Sequence, residues 1–201
     1  MVAVYDGYVS RYINRRISDP IAKLLARTRM TPNQVSWAAF GLAAFSFLSF
    51  IFNWNIAAGL LAQLSSIIDG ADGSLARLKG MSSAFGGFLD SILDRYADIL
   101  VMLGLTIWSA LNEVYPYIWL VGFLSITGTI GVSYNLARVS AELRHHFDRG
   151  FLSLASRDIR LLIVMIGAII GQGYFCLIFI AVLTHLMIIS RLTFIYRCLR
   201  Q

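Results

Sequence analysis

The chain has 201 residues, 58% of them apolar and 14% charged, with a net charge of +6. A soluble domain holds about half apolar and about a quarter charged residues, so this balance excludes an ordinary water-soluble domain and makes a lipid bilayer the expected solvent. The positive excess does not indicate nucleic acid, because all 17 Lys and Arg fall into four clusters that membrane topology explains better.

Residues 1–30 come first, and six Lys or Arg lie among them. Val9, Ile13, Ile17, Ile21, Leu24 and Leu25 recur at helical spacing, with Arg11, Arg15, Arg16, Lys23 and Arg27 on other sides. That pattern predicts an amphipathic helix over Tyr5–Met30 lying in the interface, its arginines near acidic lipid phosphates. Ser18-Asp19-Pro20 is a point where it would break, with Pro20 as the first residue of a new helix. The segment is neither placed nor flanked like a cleavable signal peptide, so it is expected in the mature protein.

Thr31 and Pro32 then open the first apolar run, as N-cap and first helical residue. Helix N-termini also bind anions, so this start is a candidate anion contact. Windows long enough to span a bilayer run at Asn33–Phe52, Ile56–Ala76, Phe85–Leu111, Tyr115–Leu136, Ile159–Ile170 with its flanks, and Tyr174–Tyr196. The expected fold is therefore all-α: an integral membrane bundle of six transmembrane helices preceded by an amphipathic interfacial helix. With no repeat and no linker, residues 31–201 form one domain behind the juxtamembrane segment 1–30.

The four basic clusters alternate with three connections that carry no Lys or Arg, at Asn53–Asn55, Asn112–Tyr115 and Gly171–Tyr174. Under the positive-inside rule both termini face the cytoplasm. Trp54, Trp108, Tyr115, Tyr117, Trp119 and Tyr174 flank the uncharged connections and would form the aromatic belt at the far interface. Cys176 and Cys198 form no metal or redox motif and are expected to act as small packing residues. Glu113 is expected to be solvated, and His185 to hydrogen-bond between helices. His145 and His146 sit in a polar stretch with Arg144, Asp148 and Arg149 and are read as surface groups.

Chemistry concentrates where the second and third spanning helices meet the cytoplasmic side. Asp69 and Asp72 share one helix face with Ala76, and Asp90 and Asp94 share another, one turn apart. Ionised groups at such depth cost about 2.5–3.5 kcal/mol each on insertion scales, so something positive must compensate them. Oxygen ligands without His or Cys favour Mg²⁺, Mn²⁺ or Ca²⁺ over zinc or copper, and four carboxylates suit two ions, Mg²⁺ or Mn²⁺ being expected. Gly70, Gly73, Ala76, Gly86 and Gly87 leave room for close helix approach or for a flat ligand, and Arg77 offers a fork to phosphate. Asp98 extends the Asp90/Asp94 face and would orient a ligand or pair with Arg95.

These residues resemble the signature D-x2-D-G-x2-A-R-x8-G-x3-D-x3-D of the CDP-alcohol phosphotransferase (CDP-alcohol phosphatidyltransferase) family, from Asp69 through Asp72, Gly73, Ala76, Arg77, Gly86 and Asp90 to Asp94, with every specified position matched. The resemblance implies a metal-dependent transferase that moves a substituted phosphate from a CDP-alcohol to a second alcohol and releases CMP. It also implies that Asp69, Asp72, Asp90 and Asp94 hold divalent ions. Thr31, Pro32, Asp69, Asp72, Gly73, Ala76, Arg77 and Gly86 would line the nucleotide, Asp94 would be the base, and the enzyme would be a homodimer.

A looser resemblance concerns the acceptor. Ser133, Arg138, Arg157 and Arg191, at the cytoplasmic ends of the last three helices, are similar to the acceptor pocket of phosphatidylinositol-phosphate synthases, which implies inositol 1-phosphate as acceptor. Asp6–Arg15 resembles the start of archaeal di-myo-inositol-phosphate-phosphate synthase domains, whose donor is CDP-inositol and which often follow a soluble cytidylyltransferase domain. A phospholipid synthase using CDP-diacylglycerol is the alternative. A cation transporter is a distant rival, since intramembrane carboxylates also build ion pathways, but the acids cluster at one interface.

Overall fold

The computed structural model describes residues 14–139, 154–198 and 200. Among them are seven helices and no strand: α1 (Arg15–Ala26), α2 (Pro32–Ile51), α3 (Asn55–Lys79), α4 (Ala84–Asn112), α5 (Ile118–Arg138), α6 (Arg157–Ile170) and α7 (Gly173–Cys198). Each of the six apolar windows falls on a helix, α2 to α7. By length and composition α2, α5 and α7 are long and apolar enough to cross a membrane. Asp and Arg residues interrupt α3 and α4, and α6 has only 14 residues, about 21 Å at the rise of an α-helix.

Local chemistry sets the helix ends. Thr31 forms a capping box with Gln34 and Pro32 occupies the first turn, which satisfies donors that a helix start otherwise leaves open. Helix α3 stops at Gly80, whose φ of +64° lies in the left-handed region open to glycine. Ser83 caps α4 through Gly86 N at 3.0 Å. At the opposite end, Glu113 accepts from Tyr174 N at 2.9 Å. Glu113 is thus not simply solvated: it binds the start of α7, where the helix dipole favours a carboxylate.

Helix α3 is the hub, packed against α1, α2 and α6, while α2 also packs on α4 and α5 pairs with α7. Small residues make these approaches possible. Ser65 Oγ donates to Ala39 O at 2.8 Å and Ser46 Oγ to Ala58 O at 2.7 Å, linking α2 to α3 backbone. Gly128 of α5 meets Thr184 and His185 of α7 so closely that an added Cβ would lie 2.1 Å from Thr184 Oγ1. The core between the helices is rich in alanine, with Ala43, Ala58, Ala62, Ala97 and Ala168 beside Phe50, Met102 and Leu177. Cys176 packs there as expected, its thiol 2.9 Å from Ile163 O.

Two expectations change. Pro20 does not start a helix; α1 runs through it from Arg15 to Ala26. Losing one backbone donor near the helix start is tolerable because Ser18 and Ala22 are buried and Ile21 and Leu25 pack against Ala71 and Leu75. His185 Nδ1 lies 2.9 Å from Ala181 O of its own helix, so its hydrogen bond is intrahelical although its ring touches α5. Of the amphipathic pattern, Ile17 and Leu24 point outward at 46% and 65% exposure. Tyr5–Ile13 and the polar stretch with Arg144, His145, His146, Asp148 and Arg149 lie outside the described residues.

Candidate active site

The carboxylates of Asp69, Asp72 and Asp90 converge. One oxygen from each lies within 4.8 Å of the others, because Asp69 and Asp72 share a face of α3 near its C-terminal end and Asp90 sits in the second turn of α4. Ser36, one turn into α2, donates its hydroxyl to Asp72 Oδ2, so a third helix braces the cluster. Three hard oxygen donors with no nitrogen or sulfur among them fit Mg²⁺ or Mn²⁺.

Asp94 is tied to the same cluster through an arginine. Arg157, at the start of α6, places Nη1 at 2.5 Å from Asp69 Oδ2 and 2.7 Å from Asp94 Oδ1. Its Nε donates to Asp98 Oδ1 at 3.1 Å. Asp98 also accepts from Arg160 Nη2 at 2.7 Å. The expectation that Asp98 pairs with Arg95 is therefore replaced, and Arg95 lies 3.8 Å from Asp94 instead. The reason is depth: α6 packs along α3 and touches α4, bringing Arg157 and Arg160 to the buried Asp98, while Arg95 is partly exposed.

Among the residues expected to line the nucleotide, Gly86 abuts Ser83 and Asn33, an added Cβ falling 3.1 Å and 3.2 Å from their oxygens. The start of α2, with Thr31 and Pro32, thereby stands beside the start of α4. Gly73 faces the Arg77 side chain, its nearest neighbour at 3.5 Å from an added Cβ, and Arg77 Nη2 donates to Ser74 Oγ at 3.0 Å. Ser74 in turn donates to Asp19 Oδ1 at 3.0 Å, so α1 borders this side. Ala76 is half-buried and Gly87 opens onto space.

The three arginines expected to bind the acceptor are not drawn to one point. Arg157 is turned to the aspartates, Arg138 is exposed beside Tyr134 at 3.2 Å, and the buried Arg191 donates to Val132 O at 3.1 Å. Ser133, on α5, is half-buried.

Sequence reasoning missed Ser36, Arg160 and a buried network in which Asn14 Nδ2 and Ser66 Oγ both donate to Asp158 Oδ1 at 2.6 Å and Gln63 Nε2 donates to Asn14 Oδ1 at 3.0 Å. A signal existed for Arg160, since an ionised residue inside an apolar helix is by default functional or paired. Ser36 and Gln63 carry no such mark.

Residues 29–196 match the family described as CDP-alcohol phosphatidyltransferase, and the chain belongs to that family. The family is one of transferases, three helices of the chain are long and apolar enough to cross a membrane, and the transporter reading is set aside. Over 133 residues, 66% of the chain, it is 44% identical to a bifunctional IPC transferase and DIPP synthase of Thermococcus kodakarensis, of whose length 30% is covered. Over 171 residues it is 31% identical to an archaetidylinositol phosphate synthase of Pyrococcus horikoshii, covering 85% of this chain and 86% of that one. The chain spans 30% to 45% of the length of the bifunctional relatives it matches. The crystal structure of Mycobacterium tuberculosis phosphatidylinositol phosphate synthase in complex with manganese and citrate superposes with a TM-score of 0.74 at 26% identity, covering 90% of this chain and 89% of that one. With CDP-DAG bound, that enzyme gives a TM-score of 0.73 at 27% identity, covering 89% and 92%.

Proposed function

We propose that the chain is a divalent-metal-dependent CDP-alcohol phosphotransferase whose acceptor is inositol 1-phosphate and whose donor is CDP-inositol. The observation that carries the reading is the convergence of Asp69, Asp72 and Asp90, with Arg157 bridging Asp69 to Asp94. Asp69, Asp72, Asp90 and Asp94 would hold Mg²⁺ or Mn²⁺, as two ions; the manganese complex of the mycobacterial relative supports a divalent metal. When bound, the metal offsets diphosphate charge and stabilises the departing CMP.

The remaining steps belong to the chain's own groups. Thr31, Pro32, Gly73, Ala76, Arg77 and Gly86 seat the nucleotide along the α2, α3 and α4 ends. Asp94 takes the proton of the acceptor hydroxyl as that oxygen bonds to the phosphorus on the alcohol side of the diphosphate. The bond from that phosphorus to the CMP oxygen breaks, and CMP leaves with the electron pair. Arg157 offers its guanidinium to the acceptor's phosphate, for which arginine forks are suited; Arg138 and Arg191 would turn from Tyr134 and Val132 O to join it, with the Ser133 hydroxyl as a neutral donor.

Six spanning helices, α2 to α7, with α1 in the interface and both termini and the site cytoplasmic, account for the charge pattern. Residues 1–30 are then the juxtamembrane segment and 31–201 the catalytic domain. The active form is a homodimer, fused to or working with a soluble cytidylyltransferase, in line with the partial coverage of the bifunctional relatives. One observation favours the second reading, a phospholipid synthase taking CDP-diacylglycerol: the mycobacterial phosphatidylinositol phosphate synthase with CDP-DAG bound is matched over 92% of its length.

Purified protein should release CMP when given inositol 1-phosphate with CDP-inositol or with CDP-diacylglycerol, and product mass separates the two readings. Chelation by EDTA should abolish release and Mn²⁺ or Mg²⁺ restore it. No CMP from either donor would refute the proposal.

A further inference from the structure

Asp98 lies one turn beyond Asp94 on α4, outside the convergent carboxylates, and is only 1% exposed. A carboxylate at that depth persists only if its charge and lone pairs are matched by partners of good geometry. Its two oxygens are divided between two arginines of one helix: Oδ1 accepts from Arg157 Nε at 3.1 Å and Oδ2 from Arg160 Nη2 at 2.7 Å. Arg160 is itself 1% exposed and is fixed from behind by Ala155 O, 2.5 Å from its Nη1.

That division has a geometric result. A guanidinium held at its Nε–H keeps Nη2 on the side of the grip and turns Nη1 to the other side, and here Nη1 reaches Asp69 and Asp94. An arginine has a long side chain with much rotamer freedom, and a binding group is effective only when its own rotamer is locked by what surrounds it. We propose that Asp98, braced by Arg160, is the positioning residue that locks the Arg157 guanidinium between the acidic cluster and the phosphate of the acceptor. Asp98 touches neither substrate; it acts through Arg157. The inference rests on the reading above that Arg157 contacts the acceptor phosphate.

The test uses the purified full chain with Mn²⁺ and CDP-inositol or CDP-diacylglycerol, whichever donor is turned over, and inositol 1-phosphate as acceptor. Asp98→Asn should raise the acceptor KM by about tenfold or more, within the roughly hundredfold that a misplacement of about 1 Å can cost. The donor KM should stay within about twofold, and inorganic phosphate should weaken as a competitor of the acceptor in parallel. In an Arg157→Gln background Asp98→Asn should add nothing further to the acceptor KM, because two residues acting through one contact are not additive. Asp98→Glu, which keeps the charge but moves the carboxylate by one methylene, should show a smaller, acceptor-only rise and serves if the Asn variant does not fold. Equal rises in both KM values, a fall in kcat alone, or effects that multiply in the double variant would overturn the proposal. If Arg157→Gln raises the acceptor KM and the Asp98 variants do not, the positioning role alone fails. If Arg157→Gln leaves the acceptor KM unchanged, the acceptor assignment of Arg157 fails and the proposal with it.

Discussion

Two glycines of this chain should respond to the same substitution in opposite ways. An alanine methyl at Gly73 would meet nothing nearer than Arg77 Nη1 at 3.5 Å, ordinary contact with the end of a flexible side chain. At Gly128 the same methyl would lie 2.1 Å from Thr184 Oγ1 and 2.9 Å from two atoms of the His185 ring. Inside a helix, Gly→Ala by itself gains about 0.5–1 kcal/mol. Gly73→Ala should therefore unfold at an equal or slightly higher temperature in detergent. Gly128→Ala should lose about 1–3 kcal/mol from overpacking between α5 and α7. Activity should divide the other way. If the nucleotide approaches the backbone at Gly73, its alanine variant should raise the donor KM by about tenfold, which corresponds to about 1.4 kcal/mol, while Gly128→Ala leaves both KM values near their original level. Thermal unfolding followed by tryptophan fluorescence, together with steady-state CMP release, reads both quantities. A Gly73→Ala protein with unchanged stability and unchanged donor KM would refute the placement of the nucleotide on this face of α3.

The metal assignments separate by a binding measurement. Asn in place of Asp69, Asp72 or Asp90 should weaken Mn²⁺ binding seen by electron paramagnetic resonance, since each removes one of three convergent carboxylates; wild-type affinity in all three would dismiss the cluster as a metal site. Asp94→Asn should keep at least one bound Mn²⁺ yet lower turnover by about 10²–10⁴-fold, the usual share of a general base, and a variant with most of its turnover intact shows that Asp94 is not the base. Arg160→Ala should cost about 3–5 kcal/mol, because it leaves the buried Asp98 short of a charge partner; chemical denaturation in detergent measures it, and a loss under about 1 kcal/mol would mean that the pair is far less buried than its 1% exposures imply. Single cysteines at Asn53 or Asn112, in a chain with Cys176 and Cys198 replaced, should react with an impermeant maleimide from outside intact cells; labelling at Lys79 instead would invert the orientation.

Most of the fold and the acidic core of the site could be read from residue order, for a physical reason. Helices in lipid must satisfy their backbone internally, so each long apolar run becomes a helix, and the windows fall on α2 to α7. Carboxylates three or four residues apart on a helix share a face whatever surrounds them. Asp69 with Asp72 and Asp90 with Asp94 are therefore local facts, as are the capping box at Thr31 and the helix stop at Gly80. Which groups neutralise those acids is not local. Arg157 could equally have snorkelled to the interface, as Arg138 does beside Tyr134, and Asp98 could have met Arg95 on its own helix. The packing of α6 against α3 and α4 decided both, bringing Arg157 and Arg160 from about sixty residues away to carboxylates that would otherwise lie buried and unpaired. The same packing decided that Asp94 reaches the convergent aspartates through a guanidinium, which no spacing along the chain could determine.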